Sequence, residues 1–376
     1  MGEESRYFPG HDAPELREQL DRYLAGLGSR LAASPFAGEV AFLLLGGGYG
    51  RGEGGVFIDE NGARTLYNDL EFYLVLKSGA GHAAAARWCR EESHAGEHET
   101  GIEVEFKILT LGALRGAEPS MFYYDLLAAH RLIHGDADLV KALPDRLRNP
   151  AMIPAYEAAR LLFNRGSGLY YASLRLAEEG AEAGKTFVER NHAKARLAFA
   201  DAVLAMNGRY AWSCRLRHAA LPGPLERRPG NFEQLVAWHE TAVEFKFHPR
   251  HESPPLEVLR ERQRELEAAW RELFLWTESL RLRREFRSVA EYAGYRGRLF
   301  PEFPVARNVA LHARDRLRRG KPPGSWLDYP RAPLQRALAL LLGGDSDGAG
   351  RKLNLPPGAG AREVETAYRK WWSFYN

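Results

Sequence analysis

The sequence predicts an α+β protein, with a mixed sheet and helices over residues 1–145 and a mainly helical domain over residues 150–376. Short apolar runs of strand character are concentrated before residue 140, and long amphipathic stretches follow it. The segment 143–151 carries two prolines between these regions and marks the expected boundary. A chain of 376 residues also has the length of two to three domains of about 150 residues each.

The first region alternates helices and strands. Leu16, Leu20 and Leu24 fall on one face of a predicted helix over 12–33, which Asp12 can cap. The dipeptide Asn61-Gly62 predicts a small hairpin. In chain order, the elements expected after this helix are a strand at 39–45, a Gly-rich turn at 46–55, the hairpin at 56–65, a strand at 68–76, a helix at 81–92, a strand at 101–110 and a helix at 118–133.

The second region is predicted to be helical, because its apolar residues recur at helical spacing. Pro- and Gly-rich segments separate the stretches, and one near residue 320 predicts a possible subdomain break. The predicted helical stretches are 152–181, 185–208, 231–246, 255–292, 304–319 and 331–342.

Composition excludes several classes of protein. Apolar residues make up 45% and charged residues 27%, as in ordinary globular domains. Two cysteines, Cys89 and Cys214, are too few for a disulfide framework or a four-cysteine zinc site. The longest apolar runs are far shorter than the roughly 20 residues that cross a bilayer, and the first residues do not resemble a signal peptide. We therefore expect a cytoplasmic protein without a membrane partner.

Charge is unevenly distributed along the chain. Residues 1–145 contain 13 Lys and Arg against 23 Asp and Glu, whereas residues 146–376 contain 39 against 26. Acidic residues can hold metal ions, and basic residues can bind phosphates. The two regions are therefore expected to have different partners.

The Gly-rich turn GGGYGRGEGG at 46–55 is suited to close contact with a phosphate, because glycine lets the backbone approach an anion. Gly50, Gly52 and Gly55 match the GxGxxG pattern, but the residues that follow, VFIDENG, do not favour the helix of a dinucleotide-binding turn. The GxxxxGK[ST] pattern of a Walker-A loop is absent from the sequence.

Two predicted strands carry carboxylates at alternate positions. Asp69 and Glu71 are two residues apart, so an extended backbone directs both to the same face of the sheet. Glu103 and Glu105 repeat this pattern on the next strand. Such oxygens suit a hard cation such as Mg²⁺, and three carboxylates can hold one or two ions for phosphoryl or nucleotidyl transfer.

The strand, Gly-rich turn and D-x-E strand together resemble the nucleotidyltransferase superfamily of the DNA polymerase β-like fold, including minimal and aminoglycoside nucleotidyltransferases. The resemblance covers residues 12–140, about a third of the chain. Gly48 stands where that family often has a small hydroxyl residue, and Glu stands at two acidic positions that are often Asp. The residues that match the motif are Gly47, Gly48, Tyr49, Arg51, Gly52 and Glu53 in the turn, Asp69 and Glu71 on the strand, and Glu105, with Glu103 second, as the third acid.

The resemblance implies transfer of AMP from ATP to a hydroxyl acceptor, with Mg²⁺ or Mn²⁺ as cofactor and release of pyrophosphate. Asp69, Glu71 and Glu105, with Glu103, would hold metal, and Glu105 could instead act as general base. The turn residues would contact the nucleotide, and a basic residue of the second domain, for which Lys194 is the candidate, would reach it. The acceptor class stays open between a small hydroxylated molecule, an RNA end and a protein side chain.

Three other interpretations remain open. Gly48 and the two glutamates are compatible with a catalytically degenerate nucleotide-binding or interaction module. Lys77 and the HGD sequence at 134–136 partly match a small-molecule kinase. Arg307 and His312 have the R-x4-H spacing of some helical-domain ribonucleases, although chance predicts about one such pair in this composition.

Overall fold

The computed structural model describes residues 13–249 and 253–375, and its α+β class confirms the predicted one. Within these residues, every strand lies before residue 136 and helices form the rest of the regular structure. Asp12, the predicted cap of the first helix, lies outside the described residues. None of the described helices combines the length and apolar character needed to cross a membrane.

A four-stranded mixed sheet forms the centre of the first region, in the order β5-β4-β1-β6. Strand β1 is antiparallel to both of its neighbours, whereas β4 and β5 are parallel. Strands β2 and β3 form a separate hairpin, which confirms the hairpin predicted from Asn61-Gly62. The strands are β1 (Val40–Leu45), β2 (Gly55–Ile58), β3 (Arg64–Tyr67), β4 (Leu70–Leu76), β5 (Val104–Thr110) and β6 (Arg131–Gly135).

Helices cover both faces of this sheet. On one face, Leu27 and Phe72 belong to the same buried cluster. On the other face, Tyr73 and Leu126 do. Strand β4 therefore has buried side chains on both faces, and Glu71 is the one residue of that strand that is not fully buried. The helices of this region are α1 (Pro14–Ala32), α2 (Gly47–Gly50), α3 (His82–Thr100), α4 (Leu111–Arg115), α5 (Met121–Ala128) and α6 (Ala137–Lys141).

The predicted helix over 118–133 is wrong at its end. The helix stops at Ala128, and Arg131–Gly135 form β6. Phe42 pairs with Gly135, and Leu45 pairs with Arg131, so β6 completes the edge of the sheet beside β1. A Cβ at Gly135 would lie 2.3 Å from the carbonyl oxygen of Ala41, which explains why glycine stands at this close approach.

The described residues divide into two compact units, and the chain passes between them more than once. Unit 1 contains residues 13–154, 207–225 and 239–249. Unit 2 contains residues 155–206, 226–238 and 253–375. The predicted division at 145–150 lies near the first passage and does not include the two later segments of unit 1.

The later helices follow most of the predicted stretches. The stretch 255–292 is two helices rather than one, because Arg283 adopts a left-handed backbone conformation (φ +51°) that ends the first. Residues on both sides of 320 belong to unit 2. The helices are α7 (Tyr156–Ala177), α8 (Lys185–Met206), α9 (Cys214–Ala220), α10 (Phe232–Phe247), α11 (Leu256–Leu282), α12 (Val289–Gly294), α13 (Val305–Arg319), α14 (Ala332–Leu341), α15 (Ser346–Lys352) and α16 (Ala361–Tyr375).

Candidate metal centre

Three carboxylates meet at one edge of the sheet in unit 1. The parallel register of β4 and β5 places Glu71 directly opposite Glu105, and Asp69 precedes β4 by one residue. One carboxylate oxygen from each of Asp69, Glu71 and Glu105 lies within 4.8 Å of the other two. Within the described part of the chain, no other group of three His, Cys, Asp or Glu side chains converges in this way. We call these three residues the carboxylate triad.

The carboxylate triad is partly open to solvent. The side chain of Glu71 is 27% exposed and that of Glu105 is 43% exposed. Burial raises the pKa of Glu71 above its ordinary value, and the negative charge of Asp69 raises it further. The triad therefore concentrates negative charge that a cation can relieve.

The first half of the Gly-rich turn lies against the carboxylate triad. The Gly46 amide donates a hydrogen bond to the Glu71 carbonyl oxygen at 2.8 Å. Gly47 has a φ of +59°, and a Cβ there would lie 2.2 Å from Glu71 Oε2. Only glycine accepts this backbone conformation without strain and leaves room for the carboxylate. The first glycines of the turn therefore lie directly beside the carboxylate triad.

A lysine that the sequence analysis missed lies among these carboxylates. Lys107 Nζ is 3.7 Å from Glu71 Oε1 and 3.7 Å from Glu105 Oε2. Lys107 follows Glu105 by two residues on β5, so the same period-two rule that selected Glu105 could have identified it. The carboxylate triad thus has a positively charged neighbour within unit 1.

Tyr49 of the turn is directed into the protein. Its side chain is 1% exposed, and its hydroxyl donates to the Gly55 carbonyl oxygen at 2.8 Å and accepts from the Tyr67 amide at 2.9 Å. Burial raises its pKa. These bonds connect the turn to both strands of the β2–β3 hairpin. The structure therefore gives Tyr49 internal contacts where the resemblance implies contact with the nucleotide.

Arg51 forms internal ion pairs as well. Its Nη1 atom donates to Asp125 Oδ2 at 2.8 Å, and its Nε atom is 3.9 Å from Glu53 Oε2. Tyr210 also donates a hydrogen bond to the Asp125 carboxylate, at 3.2 Å. The guanidinium of Arg51 is thus neutralised by carboxylates of unit 1, whereas the resemblance implies that it contacts phosphate.

Glu53 is the centre of a buried network. Its Oε1 atom accepts from Ser213 Oγ at 2.6 Å and from the Cys214 amide at 2.9 Å, and its Oε2 atom accepts from Lys246 Nζ at 2.7 Å. Although burial opposes the charged form, Lys246 and the other donors lower the pKa of Glu53 to about 2. This Glu53 network ties α9 and the end of α10 to the turn.

Two predicted site residues lie outside the carboxylate triad. Glu103 precedes β5 and is exposed, and it does not belong to the converging group. Its carbonyl oxygen accepts a hydrogen bond from the Leu70 amide, so its backbone contributes to the strand pairing. Lys194 lies on α8 in unit 2 with an exposed side chain.

Several residues of the kinase and ribonuclease interpretations have contacts inside the fold. Gly135 of the HGD sequence belongs to β6, and the Asp136 side chain caps α6. Lys77 donates to the Gly38 carbonyl oxygen at 2.8 Å. In unit 2, His312 is fully buried with Nε2 3.1 Å from the Asp328 carbonyl oxygen, whereas Arg307 is exposed. Arg307 and His312 therefore do not form one solvent-accessible pair.

The donor set fits a small hard cation. The carboxylate triad offers oxygen ligands alone, which is the set that Mg²⁺ and Mn²⁺ prefer. Gly47 keeps open the volume beside Glu71 that any larger side chain would fill. The residues present therefore fit the metal that the resemblance implies.

No model of a protein family matches this chain, and no curated protein matches it. Any functional assignment therefore rests on the motif residues and on the geometry of the carboxylate triad.

Proposed function

We propose that this chain is a Mg²⁺-dependent nucleotidyltransferase that moves AMP from ATP to a hydroxyl acceptor and releases pyrophosphate. One observation carries the proposal: the carboxylate triad converges within 4.8 Å directly beside Gly47 of the turn. Phosphoryl and nucleotidyl transfer depend on neutralising phosphate charge, and this arrangement supplies metal ligands and an open glycine backbone at one place.

In this proposal the residues of the site have separate roles. Asp69 and Glu71 would hold Mg²⁺, which supplies charge neutralisation to the phosphates when bound. Glu105 lies opposite Glu71, and in this proposal it completes the ligand set or accepts the proton of the acceptor hydroxyl. Gly47 and Gly48 let the triphosphate approach the backbone.

The remaining turn residues are assigned to positioning. Because Tyr49, Arg51 and Glu53 engage partners inside unit 1, in this proposal they hold the turn in place rather than contact the nucleotide. Lys194 of unit 2 stays a prediction of the resemblance and has no part in this proposal. The acceptor classes to be screened are a small hydroxylated molecule, an RNA end and a protein side chain.

A second candidate function is the catalytically degenerate module of the same fold. The observation that favours it is Lys107, whose ammonium group can neutralise Glu71 and Glu105 without a metal. Such a module would bind nucleotide or a partner protein independently of Mg²⁺.

Calorimetry with the four ribonucleoside triphosphates, with and without Mg²⁺, tests the proposal. The enzyme predicts Mg²⁺-dependent binding that an Asp69→Asn/Glu71→Gln double variant loses and the matched Glu103→Gln variant keeps. Binding that does not depend on Mg²⁺ favours the module. Absence of any binding by the folded wild type contradicts both nucleotide-binding interpretations.

Pyrophosphate release then separates catalysis from binding. Wild type that binds Mg²⁺ and ATP is expected to release pyrophosphate when the acceptor is present, and the double variant is not. Screening the three acceptor classes with α-labelled ATP identifies the acceptor by transfer of label.

A further inference from the structure

The ammonium group of Lys107 has two anionic neighbours and one aromatic neighbour. Besides its 3.7 Å contacts with Glu71 and Glu105, it lies 5.7 Å from the centre of the Tyr73 ring. The register of β4 and β5 pairs Tyr73 with Lys107, just as it pairs Glu71 with Glu105. The pairing of the two strands therefore brings Lys107 next to Tyr73 and close to both glutamates.

The Tyr73 ring is itself tightly held. It is 3% exposed, its centroid is 5.4 Å from that of Phe122, and a Cβ at Gly46 would lie 2.6 Å from its Cε2 atom. Close packing restricts the movement of such a ring. Tyr73 is therefore a well-held neighbour of the Lys107 ammonium group beside the carboxylate triad.

The charges of this cluster match one divalent cation. Three carboxylates and one ammonium group carry a formal charge of −2. In two-metal sites the ions lie about 3.5–4 Å apart and share carboxylate ligands. The Lys107 ammonium group lies beside two of the three acids that a second ion would use, with Nζ 3.7 Å from Glu71 Oε1 and 3.7 Å from Glu105 Oε2.

We propose that the carboxylate triad takes one divalent cation and that Lys107 supplies the second positive charge of the site. In the proposed reaction, the ammonium group contacts the phosphate oxygens that a second metal would otherwise contact. This inference rests on the proposed function, since it defines how that same site neutralises a triphosphate.

A count of bound Mn²⁺ tests the inference without measuring activity. Mn²⁺ is titrated into the full chain and the free ion is followed by electron paramagnetic resonance. Wild type is expected to bind one ion at the site, defined as the binding that the Asp69→Asn/Glu71→Gln double variant loses. Lys107→Met, which removes the charge but keeps a similar length, is expected to bind a second ion or to bind the first about tenfold more tightly.

Two variants control for charge and for general effects of losing a lysine. Lys107→Arg keeps the positive charge and is expected to keep the count and affinity of wild type. Lys141→Met removes a lysine of α6 whose side chain is 77% exposed, and it is expected to change nothing at the site.

The inference is overturned if wild type binds no ion or two ions at the site. It is also overturned if wild type and Lys107→Met bind the same number with the same affinity. A failure of the proposed function has a different signature, because ATP would then bind without Mg²⁺ or not at all. Two ions in wild type with Mg²⁺-dependent ATP binding would overturn this inference and leave the proposed function intact.

Discussion

The carboxylate triad and the Glu53 network are two acidic centres of unit 1 with opposite characters. Glu53 is 4% exposed and has donors from three other residues, and its pKa is lowered to about 2. Glu71 is partly exposed beside two other acids, and its pKa is raised. A carboxylate with its own donors stabilises the fold, whereas carboxylates gathered beside a single lysine are available for a ligand.

The two halves of the glycine motif differ in the same way. Gly47 borders the carboxylate triad, whereas Tyr49, Arg51 and Glu53 bind internal partners. The same turn thus forms one wall of the site and anchors that wall to the rest of unit 1. Variants in the two halves should therefore have separable effects on binding and on stability.

The largest expected effect is that of Asp69→Asn on transfer. Removing one metal-binding charge is expected to lower the transfer rate by about 1,000-fold, or about 4 kcal/mol of transition-state stabilisation. The fold is expected to remain, because the substitution relieves repulsion within the triad. Transfer rates at saturating ATP and Mg²⁺ measure the loss of activity. Thermal unfolding measures whether the fold is kept. Rates that stay at the wild-type level would exclude Asp69 from the site.

Glu53→Gln is expected to show the opposite pattern. It leaves Lys246 without its buried counter-ion and Arg51 with Asp125 alone, so we expect a loss of about 3 kcal/mol in the free energy of unfolding. Urea unfolding of wild type and variant at neutral pH measures this loss. An unchanged free energy of unfolding would show that the Glu53 network does not stabilise unit 1.

The pH dependence of stability gives a second test of the Glu53 carboxylate. Because the pKa of Glu53 falls from 4.5 to about 2 on folding, its stabilising contribution is complete above pH 4.5 and is lost as pH falls toward 2. The difference in unfolding free energy between wild type and Glu53→Gln should therefore shrink over this range. A difference that stays constant from pH 6 to pH 3 would contradict the lowered pKa.

A pair of glycine variants gives the smallest of these effects. Gly47→Ala places a Cβ 2.2 Å from Glu71 Oε2 at a φ of +59°, so we expect metal affinity to fall about tenfold. In Gly48→Ala the nearest atom is the Glu53 carbonyl oxygen at 3.2 Å, and a small shift relieves the contact. Mn²⁺ titration compares the two. Equal losses in both variants would show that the turn does not border the metal position.

Much of unit 1 could be predicted from local patterns. The mainly apolar segments at 40–45 and 70–76 are strands because short, continuous apolar runs suit a sheet that is buried on both faces. Strand β6 could not be recognised, because its pairing with β1 comes from residues about 90 positions away in the chain. The local pattern of apolar residues does not indicate which distant segments pair as strands.

Local residue spacing also predicted the acids of the carboxylate triad. It did not predict what the residues around them contact. Period-two spacing is sufficient to bring Asp69 and Glu71 to one face. The choice of Glu105 over Glu103 requires the register of β4 and β5. The direction of Glu53 depends on Ser213 and Lys246, which are 160 and 193 residues distant in sequence.

The most direct test of the account compares ATP binding in Mg²⁺ by wild type, Glu105→Gln and Glu103→Gln. These two glutamates differ by two positions in sequence, but only Glu105 belongs to the carboxylate triad. If the carboxylate triad holds the metal, Glu105→Gln loses most of the Mg²⁺-dependent affinity and Glu103→Gln binds as wild type does. Equal behaviour of the two variants would contradict the assignment of the triad as the metal centre.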